Sequence, residues 1–205
     1  ISNAGNCYIF NSKLTRNASG HGGGFMNSSN MFIENSEVTE NRSLCANCGG
    51  GGGTNISSSS AIYVNNSTFA NNNSSELGGA FNNYQGSAYF LNTTFSGNVT
   101  YSNTYKGGAI AQNSSNPIYL ISCAFGYNYR KNNSNAPFTF DLDDVHAYSG
   151  TVNMYYNVYL ATSTQSGSIN DVIGNEQHTL ADDGSDNDIF TGGVYTKVFD
   201  ENGVE

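Results

Sequence analysis

The sequence predicts an all-β fold, a right-handed parallel β-helix (solenoid) of about five to six coils with a C-terminal cap or connector. Three observations point there. A Gly-Gly-small-apolar step recurs, each time followed by polar residues, a short strand-like run and a closing Phe-x-x-Asn or a relative of it. The closing asparagines, Asn17, Asn41, Asn72, Asn98 and Asn128, stand 24, 31, 26 and 30 residues apart, inside the ~20–50-residue period of solenoids. Finally, at 37% hydrophobic residues and no Trp, each unit is too poor in apolar side chains to close a core by itself, so neighbouring coils must bury one another. A helical reading fails because Gly, Asn, Ser and β-branched residues dominate and no 3.6-residue apolar stripe is sustained.

Each coil follows from its columns. The first copy is Cys7 to Asn17, and four more are headed by Gly22-Gly23-Gly24-Phe25, the run Gly49 to Gly53, Gly78-Gly79-Ala80-Phe81 and Gly107-Gly108-Ala109-Ile110. Aligned on the closing Asn, three apolar columns emerge: Cys7, Met31, Ile62, Ala88 and Ile118; Ile9, Ile33, Val64, Phe90 and Leu120; Leu14, Val38, Phe69, Phe95 and Phe125. The first two are separated by two residues and therefore share one face of a strand. The column Asn11, Asn35, Asn66, Asn92 and Ser122 lies on the same pleat by that count. It is expected to point inward as a hydrogen-bonded ladder with the inter-strand spacing of about 4.8 Å. The glycines are expected where the chain turns or backbones approach closely. After residue 135 the rhythm weakens: Thr151 to Leu160 adds one more rung, and Ile189 to Thr191 and Val194 to Phe199 are strand candidates. Residues 1–165 are assigned to the coils and 166–205 to the cap or connector, because a solenoid needs an atypical unit over its last rung. The N-terminal rung has no such cover, so upstream sequence or another subunit is expected to stack there.

The Gly-Gly-Ala-apolar and Phe-x-x-Asn pair, as in Gly107-Gly108-Ala109-Ile110 and Phe95-Ser96-Gly97-Asn98, resembles the polymorphic outer membrane protein repeat of autotransporter passengers and adhesin-like surface proteins. The resemblance covers residues 1 to about 135. It implies a surface-displayed stalk, adhesin or filament part without an active site.

Composition narrows the function further. With 7 Lys and Arg against 16 Asp and Glu, a net charge of −9, the chain lacks the clustered cations that neutralise phosphates, so nucleic acid is excluded as a partner. No run of 18 apolar residues spans a membrane. The Gly20-His21-Gly22 and Asp143-Asp144 sequences resemble motifs of polygalacturonases, but the order and separation are wrong: catalytic carboxylates must converge within about 10 Å. A lyase would need acids beside a basic residue, which Arg130 and Lys131 lack in sequence. Asp141 to Asp144 and Asp182 to Asp188 match no EF-hand and read as solvated acidic loops, with Ca2+ as the alternative. Catalytic, cofactor and metal residues are therefore assigned to none.

Cys7 and Cys123 fall roughly 19 Å apart across four rungs, beyond the reach of a disulfide, whereas Cys45-Ala46-Asn47-Cys48 reads as a local disulfide of a secreted chain. Twelve Asn-x-Ser/Thr sequons occur: Asn17, Asn27, Asn41, Asn55, Asn65, Asn66, Asn72, Asn73, Asn92, Asn98, Asn113 and Asn132. Asn27, Asn55, Asn113 and Asn132 are expected in loops and accessible to glycosylation. Asn66 and Asn92 are expected to be closed to it by the inward ladder. Tyr8, Tyr63, Tyr89 and Tyr119 form an outward column that is a candidate binding face, because Tyr offers an apolar body with a polar tip.

The function expected from this is a non-enzymatic extracellular or cell-surface β-helix acting as a structural spacer or adhesin. Its partners would be a cell-surface glycan or protein, or copies of itself stacked end to end. A subunit of an extracellular filament or appendage is the alternative, and a pectinase-like carbohydrate-active enzyme the third.

Overall fold

The structure, a computed structural model, describes residues 1–44, 49–102, 104, 106–132, 139–159, 162–164 and 166–177. The described chain winds into a parallel β-helix with three sheets. The broadest has 12 strands, running from Ser2–Asn3 and Asn6–Phe10 in the first coil, through Gly53–Asn65 and Phe81–Leu91, to Thr162–Thr164 and Ser168–Ile173 in the last. The second has seven three- or two-residue strands, from Lys13–Thr15 to Glu176–Gln177. The third has six, from Ala18–Ser19 to Thr139–Leu142. Pairing is parallel throughout, except that Thr139–Leu142 returns antiparallel to Tyr129–Asn132.

Corners between the sheets are made by single left-handed residues, and they align from coil to coil. The corner after the broad sheet is Asn11, Asn35, Asn66, Asn92, Ser122, Tyr156 and Gly174, with φ between 46° and 65°. Asn leads this column because its short side chain tolerates the left-handed region better than other non-Gly residues. This corrects the expected inward ladder: Asn11, Asn35, Asn66, Asn92 and Ser122 are exposed. A spacing of two implies a shared face only while the backbone stays extended, and these residues end the strand. The second corner is Arg16, Glu40, Asn71, Gly97 and Tyr127. At the third, Gly22, Gly50, Gly78 and Gly107 all have positive φ.

The three apolar columns are inside as expected. Met31, Ile62, Ala88 and Ile118 are buried, as are the Ile9 and Leu14 columns, while Cys7 is half-buried. Registers confirm the alignment residue by residue, for example Phe69 opposite Val38 on one side and Phe95 on the other. Phe69, Phe95 and Phe125 stack with ring centroids 5.4 and 4.9 Å apart, and Phe25, Phe81 and Phe90 are fully buried in the same core. Each such fully buried ring contributes roughly 1.5–3 kcal/mol.

Polar residues form two ladders that run through the interior, the first beginning at the exposed Asn17. Asn17, Asn41, Asn72, Asn98 and Asn128 donate in one direction, Nδ2 to the next Oδ1, at 2.9–3.0 Å. Each Nδ2 from Asn41 onward also donates to a backbone carbonyl, such as Val38 for Asn72. Each Oδ1 from Asn41 onward accepts the backbone N–H of the preceding ladder residue, as Asn72 does from Asn41. The second ladder runs Asn3, Asn27, Asn55, Asn83 to Gln112 at 2.7–3.2 Å. Buried carboxamides persist in a core only when donors and acceptors are paired, and here the stacking itself supplies the partners.

Parallel rungs continue through Gln177: Ser168–Ile173 pairs with Thr151–Tyr155, and Glu176–Gln177 with Val158–Tyr159. The second sheet thus has seven described rungs, and parallel pairing runs past residue 165. Residues 178–205, with the strand candidates at 189–199 and the acids at 182–188, lie outside the described residues.

Candidate functional site

The outer face of the broad sheet carries a continuous row of rings. Parallel, in-register pairing places Tyr8 on Phe32, Phe32 on Tyr63, Tyr63 on Tyr89 and Tyr89 on Tyr119. Centroids are 4.9, 5.1, 4.8 and 5.1 Å apart, with interplanar angles of 5–9°. Phe32 escaped the sequence reading, although its column position showed it. Because the rings lie face on face, their faces are used up within the row, which leaves their edges to the outer surface. Burial first, then proximity to Tyr63 and Tyr119, raises the Tyr89 pKa above the ordinary tyrosine value. Beside the row runs a second outward column, Phe10, Glu34, Asn65, Leu91, Ile121 and Tyr155. Tyr8, Phe10, Phe32, Glu34, Tyr63 and Leu91 line a shallow apolar groove between the two. Beyond Tyr119 the ring row gives way to Asn153 and Asn170, which bond at 3.0 Å.

The acidic pair is built into the coil. Asp143 Oδ2 accepts from the backbone N–H of Gly107 at 2.8 Å and lies 3.8 Å from Arg130 Nε. Asp144 Oδ1 accepts from Asn128 Nδ2 at 2.8 Å and so receives the end of the first ladder. His146 is buried edge-on against Tyr148, centroids 4.2 Å apart. Burial, with Lys106 and Arg130 nearby, lowers its pKa to about 4. His21 belongs to the first coil, beside Met26, Thr54 and Tyr84 in a separate groove. It stands four rungs, roughly 19 Å, from Asp143. Among the described residues no three His, Cys, Asp or Glu side chains gather into a metal-binding group.

The sequon expectations are partly reversed. Asn27 and Asn55 are fully buried in the second ladder, their Nδ2 groups donating to Asn55 and Asn83, so neither is a loop acceptor. The sequence hid this because Asn27 and Asn55 sit where the broad sheet bends, and polar neighbours there resemble a surface loop. Asn113 does lie in a loop, half-buried, donating to Asn82 Oδ1 at 2.8 Å. Conversely Asn66 and Asn92, expected inside, are exposed at their corner. The Asn132 side chain, and Cys45 with Cys48, lie outside the described residues. Cys7 and Cys123 are free.

The fold and its surface define a parallel β-helix solenoid with an aromatic row along one outer face. No protein-family model, curated protein or solved structure matches the chain.

Proposed function

We propose that this chain is a non-enzymatic β-helix of the extracellular space or cell surface, built from repeats like those of the polymorphic outer membrane proteins, and that it works as a structural or adhesive element. The observation that carries the reading is the five-ring row on a sheet face, where Tyr8 and Tyr63 keep 58% and 39% of their surface open and Phe32, Tyr89 and Tyr119 are partly buried. Rows of this kind give a rigid strip with an apolar body and a hydroxyl margin, suited to a cell-surface glycan or protein. The interior polar residues support a structural role, since the ladders and Asp143 and Asp144 are committed to holding coils together.

Binding of the purified chain to a panel of surface glycans and extracellular-matrix proteins tests the adhesive reading. The double variant Tyr63→Ser, Tyr89→Ser should weaken any captured partner at least tenfold while the fold persists; unchanged binding would remove the row from the site. The filament alternative predicts rods that lengthen with protein concentration in negative-stain electron microscopy and light scattering. Discrete particles over the whole series would reject it.

A further inference from the structure

We propose that Asn92 is an N-glycan acceptor, an inference that rests on the extracellular reading above. Three sequon asparagines are exposed among the described residues: Asn17, Asn66 and Asn92. The Nδ2 of Asn17 donates to Thr15 O and Asn41 Oδ1, and that of Asn66 donates to Asn35 Oδ1 at 2.8 Å. Asn92 is different: among the described residues no hydrogen bond engages its carboxamide. It stands at a left-handed corner with φ 46°, where the chain turns out of the broad sheet, and the next rung presents the shorter Ser122 in the same column. Thr94, which completes Asn92-Thr93-Thr94, is also exposed, while Thr93 turns in and donates to Leu91 O.

In the reaction the Asn92 Nδ2 loses one proton and bonds C1 of a sugar carried as a lipid-linked pyrophosphate donor. The C1–O bond to the pyrophosphate breaks, and the lipid pyrophosphate leaves with its electron pair. Folding then sorts the remaining sequons. A glycan on Nδ2 of Asn27, Asn41, Asn55, Asn72 or Asn98 would stand inside a ladder in which that nitrogen donates to the next rung, so chains modified there do not reach the native stack.

The full chain, exported from eukaryotic cells with a heterologous leader, is tested by site-resolved mass spectrometry after enzymatic deglycosylation. Expected are Asn92 occupied in most folded molecules and the five buried ladder sequons, Asn27, Asn41, Asn55, Asn72 and Asn98, unmodified. Thr94→Ala, which leaves Asn92 in place, should lose one glycan, and Thr94→Ser should keep it. Asn92→Gln should lose the same glycan. Folded, exported protein with Asn92 bare, or with glycan on Asn27 or Asn55, overturns the assignment. Protection of the native protein from protease added outside its own cells would instead overturn the extracellular reading.

Discussion

At the scale of single residues, asparagine does different work in adjacent columns. Asn72 is buried with both donors and its acceptor engaged, whereas Asn66 turns a corner in water. Asn72→Ala strands the N–H groups of Asn41 and the Val38 carbonyl, so it should cost about 3 kcal/mol or more in urea unfolding. Asn66→Ala should cost only about 1 kcal/mol, the strain of a left-handed Ala; equal losses would contradict the division of roles. His146 supplies a pH signature. It stays neutral in the folded state down to about 4, while the unfolded chain protonates it near 6.5. The unfolded state therefore binds the extra proton between those values, and stability present above pH 6.5 is lost as pH falls toward 4. Removing the ring with His146→Asn should flatten the stability profile in that window. Burial pushes the Cys123 thiol up to about 12, so it should resist thiol reagents at pH 8 until the chain is unfolded.

At the scale of the element, the glycine step is what lets coils stack. A Cβ on Gly79 would lie 2.1 Å from the Gly108 carbonyl oxygen, and one on Gly51 2.2 Å from that of Gly79. Backbone blocks the space at both, and no side-chain rearrangement opens it. Gly53 is a different case, because a Cβ there would meet the ring of Phe25 at 2.1 Å; that ring fills the volume Phe81 and Ile110 occupy in later coils. Gly79→Ala should therefore abolish the cooperative thermal transition seen by circular dichroism. Gly53→Ala should lower the midpoint and be partly restored by Phe25→Leu. Full recovery of Gly79→Ala with any neighbouring side-chain change would refute the backbone explanation. The need for glycine at these steps was readable in sequence. Which glycine makes room for a ring was not, because Phe25 and Gly53 are neighbours only across a rung.

At the scale of the whole molecule, each coil touches chiefly the next, giving a long core without a centre. Stability is then close to a sum of coil and interface terms. Amide hydrogen exchange should be slowest in the coils around Phe69 and Phe95 and faster toward both ends of the described stack; uniform protection would indicate a single cooperative unit. Charges follow the same neighbour rule. Lys13 pairs with Glu37 at 2.9 Å and Arg16 with Glu40 at 2.6 Å, one rung apart, and as exposed pairs they add little stability.

The sequence by itself determined the class of fold and the three apolar columns, because a repeat writes the same packing requirement at the same offset in every coil. It also placed the outward tyrosines, since strict alternation fixes which face a strand residue takes. Only the tertiary structure decided which asparagines turn corners and which bond in ladders. It likewise decided that coils continue through Gln177 and that Asn92 is open while Asn27 and Asn55 are closed. Those outcomes depend on the sign of φ at one residue and on the partner one rung away, and neither is a property of a residue's own place in the chain.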